Sequence, residues 1–128
     1  MRLDRAVTWL MLTAAVPLAG QTPGLVDSTA ERIVLGRKLF EGKGLCFSCH
    51  GKNGEGILAP STRLAGRALT HIKPTVAEVV ALIKAGVDSA KSSTGVVMPA
   101  RGGSRLTDSE VEAVAWYVLE LQKREKPQ

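Results

Sequence analysis

Two cysteines three positions apart, with a histidine directly after the second, constrain this chain more than any other feature. They form the run Cys46-Phe47-Ser48-Cys49-His50, and a C-x-x-C-H run is the attachment pattern of c-type haem. Each thiol can form a thioether bond with a haem vinyl group, and the adjacent imidazole can bind the iron. The motif therefore predicts a fold organised around one covalently bound haem.

Other uses of the two thiols are weaker alternatives. A closed zinc site needs four ligands, and the candidates are limited to Cys46, Cys49, His50 and His71. Two of these are sequence neighbours and would not readily reach one ion together. A thioredoxin-like dithiol requires a βαβ pattern nearby, which this sequence lacks. A disulfide between the two cysteines would close too small a loop to stabilise a domain appreciably.

Three helices are predicted, because the same capping pattern precedes three segments with an apolar period of 3.6 residues. The expected helices cover about residues 29–41, 76–85 and 108–123. The capping boxes pair Ser28 with Glu31, Thr75 with Glu78, and Thr107 with Glu110. Since no strand pattern competes, the fold class is all-α. The long loops over residues 51–74 and 86–106 are expected to wrap the haem rather than pack on each other.

The chain length allows one domain. Its 128 residues include only five aromatic side chains, and a domain so small with so few large side chains would be marginally stable by itself. A buried haem would supply part of the missing apolar volume. We therefore expect one monohaem domain over residues 28–122 and a frayed C-terminal tail over residues 123–128.

Residues 1–20 have the features of a secretory signal peptide. A basic start with Arg2 and Arg5 precedes an apolar run over residues 6–19, which is too short to indicate a membrane span firmly. Cleavage after Gly20 is expected, with retention as an uncleaved anchor as the alternative. Because c-type haem is attached outside the bacterial cytoplasm, the domain is predicted to be periplasmic or otherwise extracytoplasmic.

The second axial ligand of the iron has two candidate side chains. Outside the leader the sequence has a single methionine, Met98, and His71 is the one histidine besides the motif histidine. Pro99 restricts the residue before it to extended backbone, which would fix how the thioether is presented. Met98 is therefore the predicted ligand together with His50, while His71 and an open site stay as alternatives.

The order of these parts resembles that of class I (mitochondrial-like) c-type cytochromes, especially their small bacterial and photosynthetic monohaem members. The similarity covers about residues 28–122, and it is most specific from Met98-Pro99 into the last helix. It implies the cytochrome c fold, in which the first and last helices cross. Here Gly36 and Phe40 would meet Tyr117 or, as the weaker alternative, Trp116.

The same resemblance implies contacts around the haem. The Pro60 carbonyl would accept a hydrogen bond from Nδ1–H of His50 and so orient the ring. The propionates need donors or cations, and Arg67 is the predicted partner. Ser61, Arg63 and Arg101 are further candidates.

The predicted function is single-electron transfer without catalysis by the protein itself. A monomeric carrier would dock transiently on redox proteins or on respiratory or photosynthetic membrane complexes, through the surface around Cys46, Phe47 and the Met98 loop. A net charge of +5 without a dense basic run gives no support to nucleic-acid binding. It fits either an acidic docking patch on a partner or scattered, solvated lysine and arginine side chains. Membrane association is expected only if the leader is retained. The alternatives are a dedicated subunit of a dehydrogenase or oxidase, and a sensor or peroxidase-like protein with an open iron site.

Overall fold

The computed structural model describes residues 28–69 and 71–124, and within them the fold is helical. Four α-helices follow one another as α1 (Thr29–Phe40), α2 (Phe47–His50), α3 (Val76–Ala85) and α4 (Asp108–Gln122). Short 3₁₀ turns lie at Pro60–Thr62 and Ala100–Gly103. These residues contain no strand, so the all-α prediction is confirmed. The predicted leader and the last four residues of the predicted tail lie outside the described residues.

The three predicted helices are present with nearly the predicted bounds, but one of their caps differs. Reciprocal capping boxes begin α1 at Ser28 and α4 at Thr107. At α3 the Thr75 hydroxyl accepts from the Glu78 N–H, but the Thr75 N–H donates to the Lys73 carbonyl at 2.8 Å. The second capping box is therefore incomplete, because the backbone donor that it requires is already used.

The crossing of α1 and α4 fixes the frame of the domain. A Cβ on Gly36 would lie 2.6 Å from the Ala113 carbonyl carbon and 2.9 Å from Tyr117 Cβ, so only glycine permits this approach. Phe40 and Tyr117 pack edge to face, with ring centroids 5.3 Å apart. Tyr117, rather than Trp116, is thus the aromatic residue at the crossing.

Helix α4 also packs against α3, and the main hydrophobic core lies along α4. Val79 and Ile83 of α3 are buried in the same cluster as Val114, Val118 and Leu121 of α4. The core therefore forms one wall of the domain interior, and residues of the loops between α2 and α3 and between α3 and α4 pack against it.

None of the helices in the described ranges is long and apolar enough to cross a membrane.

Candidate cofactor site

The two cysteines lie on a single helical turn that begins soon after α1 ends. The Gly44 N–H donates to the Leu39 carbonyl at 2.8 Å, and the His50 N–H donates to the Cys46 carbonyl at 3.0 Å. Residues three and four apart on a helix share a face, so the turn brings Cys46, Cys49 and His50 to one side. Both thiols are free and half-buried. Burial raises the pKa of the Cys46 thiol to about 11, so it is protonated at neutral pH.

The His50 ring is oriented by Thr62. Nδ1 lies 2.5 Å from the Thr62 carbonyl oxygen, and because a carbonyl can only accept, Nδ1 carries the proton. Burial lowers the pKa of His50, which keeps the ring neutral at neutral pH. The other nitrogen, Nε2, therefore has a free lone pair, as a metal-ligating imidazole requires.

This geometry corrects the predicted acceptor from Pro60 to Thr62. Within the 3₁₀ turn the Pro60 carbonyl accepts from the Arg63 N–H at 3.4 Å and from Nη1 of Arg67 at 2.9 Å. The carbonyl at the end of a helical turn has no partner within the turn, so the Thr62 carbonyl can face the imidazole. Arg67, the predicted propionate partner, lines a cavity beside His50 and stabilises this turn through its hydrogen bond to the Pro60 carbonyl.

Thr62 also fixes the attachment motif through its side chain, a role that the sequence did not predict. Its hydroxyl is within hydrogen-bond distance of the Cys49 carbonyl at 2.8 Å and the Ala59 carbonyl at 2.7 Å. It is buried, with 8% of its surface exposed. One residue therefore holds both the second cysteine and the histidine of the motif. The only sequence signal is a threonine in a loop after the motif, which is too common to be informative.

Met98 is held in place through its backbone. Its N–H donates to the Val87 carbonyl at 2.9 Å, and its carbonyl accepts from the Val87 N–H at 2.8 Å. Gly86, with a φ of +73°, permits this approach, because a Cβ there would lie 2.7 Å from the Ala100 nitrogen. The half-buried methionine side chain packs against the core. The end of α3 thus sets the position of the methionine loop.

Arg101 stabilises the backbone segment that leads from the Met98 loop to α4. Its guanidinium donates to the Leu106 carbonyl at 2.8 Å and to Asp108 at 2.5 Å, so this arginine supports the loop. It does not line the cavity beside Arg63 and Arg67. Lys84 also donates to Asp108, at 2.7 Å. Hydrogen bonds from Lys84 and then Arg101 lower the pKa of Asp108 to about 2.

Three cavities meet between the attachment motif and the Met98 loop. The residues that line all three are His50 and Met98. The largest, of about 170 Å³, has a polar side with Ser61 and two arginines. The second is almost wholly apolar and reaches the core, and the third is lined by both cysteines. Two candidate axial side chains, two thiols and an apolar wall therefore converge, and this donor set fits a covalently bound haem.

The other candidate ligand, His71, lies at the edge of this space. It lines only the largest of the three cavities, it is exposed, and its Nε2 is 3.4 Å from the Ser93 hydroxyl. No group of three or more His, Cys, Asp or Glu residues in the described ranges could hold a metal ion. The arrangement therefore favours Met98 over His71 and gives no support to a zinc site.

Comparison with known proteins agrees with this geometry. Neither the search of curated proteins nor the search of solved structures returned a match. A protein-family model described as cytochrome c oxidase, cbb3-type, subunit III matches residues 31–118. This range includes the attachment motif, Met98 and the helix crossing. The chain is therefore a c-type cytochrome that belongs to the family of cytochrome c oxidase, cbb3-type, subunit III.

Proposed function

We propose that this protein is an extracytoplasmic single-electron carrier with one covalently attached haem c, bound through Cys46 and Cys49 and ligated by His50 and Met98. The observation that carries the proposal is that these two axial candidates are the residues shared by the linings of all three cavities. Haem c, when bound, supplies a centre that accepts and releases one electron at a time.

The residues around the site would keep the electron-transfer centre closed and rigid. The Thr62 carbonyl fixes the imidazole, and the backbone pairing with Val87 fixes the thioether. A soft thioether ligand favours the ferrous state and raises the reduction potential. Two axial protein ligands would leave no position for a substrate, which suits a carrier better than a sensor or a peroxidase-like catalyst.

Docking would use the apolar surface around the attachment motif. Leu45 and Val97 line the cavity that contains both cysteines, yet they are about half exposed. Ile57 and Leu58 are also exposed, and their N–H groups donate to the Cys49 carbonyl. Exposed apolar side chains grouped at a site are typical of an interaction surface. Redox proteins or a membrane respiratory complex are the proposed partners.

A dedicated subunit of an oxidase complex is the second candidate function. The family description names an oxidase subunit, and this observation alone favours it. Size-exclusion chromatography after gentle solubilisation of the native host distinguishes the two. A free carrier elutes as a monomer no larger than the full chain of 13.6 kDa with one haem, whereas a dedicated subunit co-elutes with haem-containing oxidase subunits.

The test of the axial pair is the optical spectrum of the protein produced with a c-haem maturation system. The oxidised protein should show the charge-transfer absorption of a methionine sulfur bound to Fe(III). Met98→Ala should abolish it and allow carbon monoxide to bind the reduced protein, while His71→Ala should leave the spectrum unchanged. A band that survives Met98→Ala, or disappears in His71→Ala, would refute the proposed ligand pair. Absence of covalent haem would refute the function itself.

A further inference from the structure

A further cavity lies where the start of α1 meets the end of α4. Thr29 and Ile33 of α1, Trp116 and Leu119 of α4, and Pro74 from the loop before α3 are among its lining residues, and its volume is about 290 Å³. None of its lining residues lines the three cavities of the cofactor site. It is therefore a separate space, which a haem bound at that site would not fill.

Two hydrogen-bond donors at this cavity have no acceptor. Nε1 of Trp116 and Nε2 of Gln122 are buried and have no hydrogen-bond partner in the described part of the chain, and both residues line the cavity. An indole nitrogen can only donate, and a buried donor without a partner is costly. Two such donors at one cavity indicate an occupant that supplies acceptor oxygens.

The rest of the lining indicates that this occupant is neutral and partly apolar. The charged residues of the lining are Glu120 and Lys123, and they form an ion pair with each other at 3.0 Å. Neither of them requires a charged partner. A peptide segment with apolar side chains fits this wall, because its carbonyls accept hydrogen bonds and its side chains remove apolar surface from water.

We propose that residues 21–27 of this chain bind in the cavity. Leu25 and Val26 would cover its apolar wall, and a backbone carbonyl of the segment would accept a hydrogen bond from Nε1 of Trp116. These seven residues lie outside the described part of the chain and directly precede Ser28. The proposal goes beyond the proposed function and does not depend on it.

The short connection to α1 favours this segment over an unlinked partner. Thr29 lines the cavity, and Leu25 is four residues before it in the sequence, a span of at most about 14 Å of extended chain. A short tether raises the effective concentration of a binding segment to the millimolar range. Weak apolar contacts are therefore sufficient to keep the segment bound.

The composition of the segment also distinguishes it from the other end of the chain. Leu25 and Val26 are adjacent apolar residues, and Asp27 occupies the position at which a hydrophobic staple to α1 would need an apolar side chain. The two apolar residues thus lack that common packing arrangement. Residues 125–128, Glu-Lys-Pro-Gln, follow α4 and contain no large aliphatic or aromatic side chain.

The test is nuclear magnetic resonance of the reduced, haem-loaded protein in a Trp9→Phe background. This background leaves Trp116 as the single tryptophan of the chain, whether or not the leader is cleaved. We expect nuclear Overhauser contacts between the Trp116 ring and the methyl groups of Leu25 and Val26. The indole N–H resonance should lie downfield, where hydrogen-bonded indoles are found.

Replacement of both apolar residues, Leu25→Ser with Val26→Ser, should abolish these contacts, move the indole resonance upfield and accelerate its exchange with deuterium. The matched control is Val34→Ser, because Val34 is an exposed apolar residue of α1 that does not line the cavity. This control should leave the indole resonance unchanged.

Two results would overturn the proposal. One is the absence of contacts between the Trp116 ring and the methyl groups of Leu25 and Val26. The other is an indole resonance that ignores the double substitution but moves when residues 125–128 are deleted, which would identify the C-terminal tail as the occupant. Covalent haem and methionine–iron absorption are measured in the same samples, so failure of this proposal is distinguishable from failure of the proposed function.

Discussion

The close crossing of α1 and α4 makes Gly36→Ala the most demanding test of the fold. In an ordinary helix this substitution stabilises the protein by about 1 kcal/mol, because alanine loses less conformational freedom on folding. Here the added methyl group would lie 2.6 Å from the Ala113 carbonyl carbon and closer still to its oxygen. These are backbone atoms, and they cannot rotate away as the end of a side chain can.

The expected net effect is destabilisation. Overpacking typically costs about 1–3 kcal/mol, and the rigid backbone contact places Gly36→Ala at the upper end. After the gain in helix propensity, the free energy of unfolding should fall by about 2 kcal/mol. For a domain of this size that corresponds to a decrease in Tm of about 8–16 °C.

The assay is urea unfolding of the haem-loaded protein, followed by tryptophan fluorescence and by haem absorption. The denaturation midpoint should fall while the m-value stays unchanged. Val34→Ala is the matched control, because Val34 lies on α1 with 70% of its surface exposed and should change stability by less than about 0.5 kcal/mol. A Gly36→Ala protein as stable as the wild type would refute the close approach of the helices.

Three further substitutions test the contacts around the site. Thr62→Val should lower the free energy of unfolding in urea by about 1–3 kcal/mol, because the buried hydroxyl that contacts the Cys49 and Ala59 carbonyls is lost; unchanged stability would contradict this role. Gly86→Ala should let added imidazole displace Met98 at lower concentration than in Gly95→Ala, because both glycines have a positive φ but nothing lies within 4 Å of a Cβ at residue 95. Equal displacement in the two variants would be the opposing result. The stabilisation from Asp108 is present above its ordinary pKa of 3.8 and is lost as pH falls toward about 2, because its pKa is lower in the folded state. Asp108→Asn should therefore weaken the dependence of Tm on pH between these values, and an unaltered slope would show that its ion pairs add no stability.

Side-chain chemistry and local backbone patterns made part of this structure predictable. Capping residues gave the starts of α1, α3 and α4, since a hydroxyl three residues before a glutamate satisfies donors that every helix exposes. The Gly36–Tyr117 crossing followed from the family resemblance, and the Ala113 contact explains why glycine is needed there. The convergence of the cysteines with His50 and Met98 was predicted because few other residues could supply that chemistry.

Contacts made by backbone carbonyls were not predictable in the same way. Every residue has a carbonyl, so the sequence cannot distinguish Pro60 from Thr62 as the acceptor for His50; the direction of one 3₁₀ turn decides it. Which guanidinium the loop buries is likewise set by the path of the backbone: Nη2 of Arg63 is buried, whereas Arg67 is exposed and donates to the Pro60 carbonyl. Substitution of Thr62 tests only its hydroxyl and leaves its carbonyl in place. A Thr62→Val protein that loses stability but keeps its axial ligands would therefore be consistent with both roles of this residue, because the two roles are carried by different atoms.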